Sequence, residues 1–342
     1  MPKVIVSGGC GYIGSHSAVD LIANGFEVIS IDSFIRSQPE ILKHIENVSG
    51  KSFINYDVDI CDKSLLNKVI EAHSDAIGII HFAALKSVPE SVSNPLLYYQ
   101  NNIGGLCNLL ECMAEHKIPN IIFSSSCSVY GNVKSLPVSE ETIMGKAESP
   151  YAATKQMGER IIEDFIRSEK GKNAILLRYF NPGGAHRSGL LGEMPQKNIS
   201  NLIPILMNAV TNSTVDFFVH GDDYPTRDGT CIRDYIHIMD LADAHTRSLR
   251  YLYEGKNKQS CEVFNVGIGE GVTVMEAIKA TELATGLKVP YKIGPRRDGD
   301  VVAIYADYSK AARLLSWKPR YSINDILESA WKWEQYRKGL ES

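Results

Sequence analysis

Short runs of apolar and β-branched residues alternate with longer amphipathic segments through the first half of the chain. The apolar runs have the length and composition of buried parallel strands and span residues 3–7, 27–32, 52–58, 76–82, 120–125 and 174–180. The segments between them carry apolar positions at helical spacing and predict helices over residues 15–24, 63–73, 95–116 and 150–169. This alternation predicts an α/β fold, with helices on both faces of a doubly wound parallel sheet.

The pattern changes near residue 181, where an asparagine, a proline and two glycines follow the last of these apolar runs. Prolines and glycines then separate shorter elements, with helical patterns near residues 240–253, 273–285 and 322–337. We therefore predict a larger domain over residues 1–180 and a smaller C-terminal α/β domain over residues 181–342, with room for segments of the two to interleave.

Composition and charge exclude several classes of protein. Of the 342 residues 44% are hydrophobic, and the formal net charge is -4, so the chain can bury a large core and offers no strongly basic surface to nucleic acid. Seven scattered cysteines without a Cys-x-x-Cys motif are typical of reduced thiols. No apolar run suits a signal peptide or a membrane span. We expect a cytoplasmic protein that binds no nucleic acid, membrane or metal.

A glycine-rich loop directly follows the first predicted strand and opens the first helix. Its Gly-x-x-Gly-x-x-Gly spacing is weak on its own, and a tight strand-to-helix turn is the alternative explanation. In this position, however, glycines without Cβ atoms let the backbone approach a pyrophosphate, and the helix start offers N–H groups to it. The pattern predicts a Rossmann-type dinucleotide site in the first domain, contacted by Gly8, Gly11, Tyr12, Ile13 and Gly14.

Asp32 ends the second predicted strand, where a carboxylate can accept hydrogen bonds from the adenosine ribose. A carboxylate there would repel a 2′-phosphate and so favours NAD over NADP, although Arg36 lies close in sequence. Asp59 and Ile60 follow the third strand and could flank the adenine. Helix capping is the simpler alternative for Asp59 and for Asp62.

Tyr151 and Lys155 form the strongest candidate for chemistry. Four residues apart on one helix, they would share a face, and a cation about 6 Å from a phenol lowers the tyrosine pKa by about 2 at an effective dielectric of about 20. Such a tyrosine could take or return the proton of a substrate hydroxyl, with an oxidised nicotinamide as hydride acceptor and second cation.

The same spacing occurs at Tyr130 and Lys134, where an intervening Gly-Asn makes a continuous helix unlikely. Around Tyr151 the context is better, because Ser149 can cap the helix and Pro150 suits its first position. An ordinary capped surface helix remains the alternative.

With both motifs in place, the chain resembles the extended short-chain dehydrogenase/reductase superfamily over nearly its whole length. The resemblance implies that Tyr151 is the acid/base and that Lys155 holds the nicotinamide ribose and lowers the tyrosine pKa. It also implies a hydroxyl residue after the fifth strand, here Ser126, with Ser128 also near the substrate.

Segments at residues 81–86, 98–102, 179–182, 229–237 and 296–300 make the chain resemble the UDP-hexose 4-epimerase family. This resemblance implies further NAD contacts, from Phe82, Ala83, Lys86, Asn101, Ser124 and Tyr179. It also implies a UDP-sugar site, mainly in the second domain, that adds Asn181, Asn201, Phe218, His220, Arg233, Tyr235, Arg297, Asp300 and Ile304. Arginines suit a diphosphate. A surface Arg233–Asp234 ion pair and solvated arginines at 296 and 297 are the alternatives.

The activity implied by the resemblance is interconversion of UDP-galactose and UDP-glucose through a transient 4-keto sugar. A nucleotide-sugar dehydratase is the nearest rival, but those enzymes usually carry Asp-Glu where this chain has Cys127 and Ser128. A non-catalytic NAD-binding protein is a second rival. Two departures from the family pattern concern the substrate: His220 replaces an aromatic residue near the uracil, and Ile304 replaces the tyrosine typical of members confined to plain hexoses. Activity on UDP-N-acetylglucosamine is therefore the alternative.

Family members are commonly homodimers, and the resemblance implies pairing through the helices at residues 95–116 and 150–169. Leu106, Leu109, Leu110 and Met113 suit such pairing but equally suit packing against the sheet.

Overall fold

The computed structural model describes residues 1–133, 135–194, 201–212, 217–297 and 300–339. A seven-stranded sheet forms its centre, with every neighbouring pair of strands parallel. The strands are β1 (Lys3–Ser7), β2 (Glu27–Ile31), β3 (Ile54–Tyr56), β4 (Gly78–His81), β5 (Asn120–Ser124), β6 (Asn173–Tyr179) and β11 (Cys261–Val266). Their order is β11-β6-β5-β4-β1-β2-β3, which confirms the doubly wound sheet.

Helices cover both faces of this sheet. In chain order, the α-helices of the described residues are α1 (Tyr12–Ala23), α2 (Ile41–Ser49), α3 (Lys63–Ala72), α4 (Val88–Ser93), α5 (Pro95–Tyr98), α6 (Gly105–Glu115), α7 (Pro150–Ser168), α8 (Leu202–Thr211), α9 (Ile238–Tyr253), α10 (Val274–Thr285), α11 (Ser309–Leu314) and α12 (Ile323–Lys338), of which α8, α10 and α12 pack in the C-terminal part. Successive residues of β1 face opposite sides: Val4 and Val6 pack with α1 and α9, whereas Ile5 packs with α3 and α6. Strand β1 is therefore buried on both faces, as its continuous apolar run predicted, whereas Ile54 of the edge strand β3 is exposed.

The segment predicted as one helix over residues 95–116 is interrupted. A six-residue π-helix, Tyr99–Gly104, separates α5 from α6. Leu106, Leu109, Leu110 and Met113 all lie in the core beside the sheet, so packing against the sheet is the role they have in this chain.

The C-terminal part builds a smaller layer from short strands and helices. The remaining strands are β7 (Asn181–Gly183), β8 (Phe218–His220), β9 (Ile232–Arg233), β10 (Tyr235–His237), β12 (Val272–Thr273), β13 (Lys292–Gly294) and β14 (Ala303–Ile304). They pair as β10-β7, β12-β9-β14 and β13-β8. A separate core joins α8, α10 and α12. Two elements after residue 181, β11 and α9, pack with the first half, and we keep the two-domain division as a proposal with interleaved segments.

The residue ranges described above contain no membrane-spanning helix, no metal-binding cluster and no disulfide. No helix there has both the length and the apolar character needed to cross a lipid bilayer. No group of three or more His, Cys, Asp or Glu side chains there could hold a metal ion. The seven cysteines, all within these ranges, are free thiols.

Candidate active site

The glycine loop between β1 and α1 is packed too closely for side chains. Gly8 has φ +76°, and a Cβ there would lie 2.7 Å from the backbone nitrogen of Ala83. At Gly14 a Cβ would lie 2.1 Å from the Gly8 carbonyl oxygen. No side chain caps the N-terminus of α1 at Gly11. A bare, uncapped helix start of this kind fits a pyrophosphate.

Asp32 immediately follows β2, at the carboxyl end of the sheet. Its carboxylate accepts from the backbone N–H of Cys10 at 3.0 Å, the backbone N–H of Phe34 at 2.9 Å and the Ser37 hydroxyl at 2.8 Å. A carboxylate has about four acceptor sites, which leaves room for one more donor. Arg36 donates to Glu90 at 2.6 Å.

Asp59 and Ile60 lie in the loop between β3 and α3. Asp62, not Asp59, caps α3, because its side chain accepts from the Leu65 N–H. Asp59 instead accepts from the backbone N–H of Cys61 at 2.8 Å. Ile60 is buried and packs against Gly105.

The chain after β4 runs beside the glycine loop. The backbone N–H groups of Phe82 and Ala83 both donate to the Ser7 carbonyl, at 2.9 and 3.1 Å. Lys86 Nζ donates to Glu193 Oε1 at 3.0 Å and lies 6.0 Å from the centre of the Tyr12 ring. These contacts bring the predicted cofactor residues Tyr12, Ala83 and Lys86 together at one edge of the sheet.

Asn101 lies in the π-helical turn, a distortion frequent at functional sites. Its amide donates to Asn102 Oδ1 at 2.9 Å. Asn102 is buried and accepts from the Leu85 N–H at 2.8 Å while donating to Thr154 at 3.1 Å. The turn thereby joins the segment after β4 to the helix that carries Tyr151.

The helix α7 begins as predicted, with Ser149 Oγ accepting from the Ala152 N–H at 3.2 Å and Pro150 in the first position. Lys155 is 5% exposed, and its Nζ lies 6.0 Å from the centre of the Tyr151 ring. The ammonium donates to the Ser124 carbonyl at 2.6 Å, and burial lowers the pKa of Lys155 to about 8. Tyr130, in contrast, ends a 3-10 turn, and Lys134 lies outside the described residues.

The expectation of a lowered Tyr151 pKa is wrong for the protein alone. Burial raises the pKa of Tyr151 well above its usual value, and the neighbouring Tyr179 adds to this effect. A hydrogen bond with Ser126 acts in the opposite direction. The cost of placing a phenolate away from water outweighs the charge of Lys155, on which the prediction rested.

Further hydroxyl groups lie at the ends of β5 and β6 and on the turn that follows β5. Ser124 Oγ and Tyr179 OH are 2.6 Å apart, at the ends of β5 and β6. Ser126 caps the following 3-10 turn by accepting from the Ser128 N–H at 3.2 Å. Ser128 Oγ is buried without a hydrogen-bond partner among the described residues, which leaves its hydrogen-bonding capacity unused.

The predicted diphosphate residues form one charged group. Arg233 Nη2 lies 3.3 Å from Asp300 Oδ1, and Arg297 Nη2 lies 3.0 Å from the same oxygen. Asp234 is not the partner of Arg233: it is buried and accepts backbone N–H groups from Ile268, Gly269 and Ala306. The surface-pair alternative is therefore wrong.

The remaining predicted substrate residues lie on neighbouring elements. Asn181 and the buried Tyr235 are opposite each other in the β7-β10 pair. Asn201 is exposed and begins α8 without a side-chain capping bond. Phe218 and His220 are exposed at the two ends of β8.

Ile304 lies opposite Arg233 in the β14-β9 pair and is 4% exposed. It belongs to a small apolar cluster that includes Phe180 and against which Cys127 packs. Since Cys127 follows Ser126, the size of the side chain at residue 304 bears on the space beside the candidate catalytic groups.

The sheet, the bare glycine loop at its carboxyl edge and the Tyr-Lys pair on α7 define a member of the extended short-chain dehydrogenase/reductase superfamily. The sequence profile described as GDP-mannose 4,6 dehydratase matches residues 5–330. The UDP-glucose 4-epimerase of Schizosaccharomyces pombe is 45% identical over 97% of this chain and 94% of its own. The chain belongs to the UDP-glucose 4-epimerase family.

Solved structures agree with this assignment. The Stenotrophomonas maltophila UDP-glucose 4-epimerase, with bound NAD and formylated UDP-arabinopyranose, is 39% identical with a TM-score of 0.95 over 100% of both chains. The Bifidobacterium longum enzyme, in complex with NAD+ and UDP, is 42% identical with a TM-score of 0.93 over 98% of this chain and 99% of that one.

Two glutamates that shape the site, Glu193 and Glu159, were not predicted from the sequence. Glu193 pairs with Lys86 across 107 positions of sequence, and no local pattern points to it. Glu159 is different, because it continues the four-residue spacing of Tyr151 and Lys155 on α7. That spacing could have identified Glu159 from the sequence as a residue on the same helical face.

Proposed function

We propose that this protein is a UDP-glucose 4-epimerase that interconverts UDP-galactose and UDP-glucose with NAD as its bound cofactor. The observation that carries the proposal is the arrangement of Tyr151, Lys155 and Ser126 at the carboxyl end of β5, on the sheet edge that also carries the glycine loop. Its membership of the family supports the same activity.

The residues at the sheet edge fit a dinucleotide. Gly8, Gly11 and Gly14, with Tyr12 and Ile13, would receive the pyrophosphate at the uncapped start of α1. Asp32 would accept from the adenosine ribose, with Asp59 and Ile60 near the adenine. At the other end, the residues that would hold the nicotinamide half are Phe82, Ala83, Lys86, Asn101, Ser124, Lys155 and Tyr179. When bound, NAD would supply reversible two-electron oxidation at C4 of the sugar.

Tyr151 would move the proton in this reaction. Its phenol oxygen takes the proton of the sugar 4-hydroxyl during oxidation and returns it during reduction. Because burial raises the pKa of Tyr151, the phenolate needs stabilising partners, and the hydrogen bond with Ser126 is one that the protein provides. Ser128, with its free hydroxyl, would contact the sugar.

Inversion at C4 requires that the nucleotide stay bound while the keto sugar turns over. Arg233 and Arg297 would bind the diphosphate, and Asp300 would accept from a ribose hydroxyl while holding both guanidinium groups in place. Other residues would complete the UDP-sugar site: Asn181, Asn201, Phe218, His220, Tyr235 and Ile304.

Incubation with UDP-galactose, without added NAD, tests the proposal. Formation of UDP-glucose supports both epimerisation and a retained cofactor. Formation of a 4-keto-6-deoxy product would instead identify a dehydratase, and an NAD-loaded, folded protein without turnover would identify a non-catalytic member of the family.

A wider substrate range follows from residue 304. Isoleucine there is smaller than tyrosine, and it lies in the apolar cluster against which Cys127 packs beside Ser126. We propose additional activity on UDP-N-acetylglucosamine and UDP-N-acetylgalactosamine. Specificity constants for UDP-galactose and UDP-N-acetylgalactosamine, measured side by side, test it; undetectable activity on the acetylated sugar would contradict it.

We propose a cytoplasmic homodimer. Free thiols at all seven cysteines support a reducing compartment. For the dimer, apolar side chains stay exposed near α7: Val92 is 63% exposed, Leu96 72% and Met157 46%. Sedimentation of the wild type and of a Leu96→Glu variant tests the association; a monomeric wild type would contradict it.

A further inference from the structure

A third charged residue follows Tyr151 and Lys155 on the same face of α7. Residues four apart lie one above the other on a helix, so Tyr151, Lys155 and Glu159 form a row. Glu159 is 1% exposed. Neither the proposed proton transfer nor the proposed cofactor contacts involve it.

The row faces three consecutive serines at the end of β5. Ser125 Oγ donates to Glu159 Oε1 at 2.5 Å. The preceding serine accepts from Lys155 through its carbonyl at 2.6 Å, and the following one forms a hydrogen bond with Tyr151. Each member of the row therefore has one serine partner. In sequence, Ser125, the partner of Glu159, stands between the serines that contact Lys155 and Tyr151.

Arg178 holds the Glu159 carboxylate from the neighbouring strand β6. Its Nε donates to Oε1 at 2.9 Å and its Nη2 donates to Oε2 at 2.6 Å. Nη1 also donates to Tyr130 OH at 3.2 Å. This bidentate interaction fixes the plane of the Glu159 carboxylate and hence the direction from which Ser125 donates to it. A buried ion pair adds little net stability by itself, so its place beside the site calls for another reason.

The charge of Glu159 also acts on Lys155. Burial lowers the pKa of Lys155, and the Glu159 carboxylate raises it. The other groups facing the lysine are neutral near pH 7: Tyr151 on its own helix, with a raised pKa, and His81 on β4, whose pKa burial lowers to about 3. Burial also raises the pKa of Tyr179, on β6, to about 12. The fixed Arg178 charge is bound to Glu159 itself.

We propose that Glu159 is a positioning residue for the epimerisation: through Ser125 it fixes the three-serine turn against Tyr151 and Lys155, and its carboxylate is the counter-charge of the Lys155 ammonium. This inference rests on the proposed function, since it assigns Glu159 a role in the same reaction. It extends the Tyr-Lys pair to a Tyr-Lys-Glu row.

Kinetics of three variants test the inference. Glu159→Gln keeps the shape and a hydrogen-bond acceptor for Ser125 but removes the charge; Ser125→Ala keeps the charge but removes the link. Glu163→Gln, one turn further along α7, is the matched control. For each variant we would measure kcat and KM for UDP-galactose, the pH profile of kcat, the bound NAD and the melting temperature.

We expect Glu159→Gln to lower kcat at least about 10-fold with KM within about twofold, because the loss lies in the reacting groups and not in nucleotide binding. The alkaline limb of the kcat–pH profile of this variant should move to lower pH, because the pKa of Lys155 falls when the neighbouring negative charge is removed. Ser125→Ala should lower kcat without moving that limb, and Glu163→Gln should change neither.

If Glu159→Gln fails to fold because Arg178 is left unpaired, the double variant Glu159→Leu with Arg178→Met replaces both charges, and it should still show the acid shift of the limb. A lower melting temperature with kcat and pH profile unchanged would overturn the proposal and leave Glu159 a structural role. A wild-type protein that does not epimerise UDP-galactose would instead overturn the proposed function.

Discussion

Tyr151→Phe removes a single oxygen atom from the proposed site. Because that oxygen carries the proton of the sugar hydroxyl, kcat for UDP-galactose should fall by about 10²–10⁴-fold. Bound NAD and UDP affinity should stay close to wild type, since the phenyl ring still fills the space. The exposed Tyr253 provides a control, Tyr253→Phe, that should keep full activity. A Tyr151→Phe protein with nearly full activity would show that another group moves the proton.

Ile304→Tyr tests the substrate range. The isoleucine is 4% exposed and belongs to the cluster against which Cys127 packs, so a phenol ring there must take space from the sugar side. The specificity constant for UDP-N-acetylgalactosamine should fall about 10-fold more than that for UDP-galactose. Ile304→Val, which shortens the side chain, should leave the ratio of the two constants nearly unchanged. An equal loss on both substrates would argue against this role of residue 304.

At the scale of residues, the sequence predicts contacts that are local and misses those that are not. Four-residue spacing brings Tyr151 and Lys155 together, and the structure has them as expected. The partner of Arg233, however, is Asp300 and not the adjacent Asp234, because residues 67 positions apart meet only in the folded chain. The prediction of a lowered Tyr151 pKa was wrong for the same reason, since the burial of Tyr151 is set by residues distant in sequence.

The contact between α1 and the glycine loop makes a prediction at the scale of elements. A Cβ at Gly14 would lie 2.1 Å from the Gly8 carbonyl, so Gly14→Ala must separate the helix from the loop. We expect a loss of about 3 kcal/mol in the free energy of unfolding, together with loss of bound NAD. Urea unfolding and the absorbance of released nicotinamide measure the two effects.

Gly104 provides the matched control for this substitution. It lies in the π-helical turn, where a Cβ would point into open space, so Gly104→Ala should be neutral or slightly stabilising. Equal effects of the two substitutions would show that close packing is not what requires glycine at Gly14.

Element boundaries followed from the sequence where an apolar run is buried on both faces. Strand β1 has the predicted bounds, and α7 ends one residue earlier than expected. The three-residue edge strand β3 is shorter than the predicted run, and it is not buried on both faces, since Ile54 is exposed. The π-helical turn had no sequence signal; it coincides with contacts from Asn102 to Leu85 and Thr154, which depend on the tertiary fold.

At the scale of the whole molecule, buried neutral histidines should make the fold sensitive to acid. Burial lowers the pKa of His16 and His81 to about 3 and that of His237 and His245 to about 4. Each is neutral in the folded protein, whereas the unfolded chain takes up protons below about pH 6.5. The stability they contribute is therefore present above that pH and lost as the pH falls towards their folded pKa values.

From about pH 7 to about pH 5.5, each of these histidines should cost about 1.2 kcal/mol of unfolding free energy, and the four together about 5 kcal/mol. Burial raises the pKa of Asp234 to about 6, so the folded protein takes up a proton at this residue over the same pH range. This uptake raises the unfolding free energy by about 1 kcal/mol. Urea unfolding at the two pH values measures the net change in stability, to which these five groups should contribute a loss of about 4 kcal/mol. His245→Gln should reduce that loss by about 1 kcal/mol, whereas Ser248→Ala, a buried and non-titrating change on the same helix, should leave it unaltered. Equal stability of the wild type at both pH values would mean that these histidines take up protons without unfolding, through openings that admit water to the core.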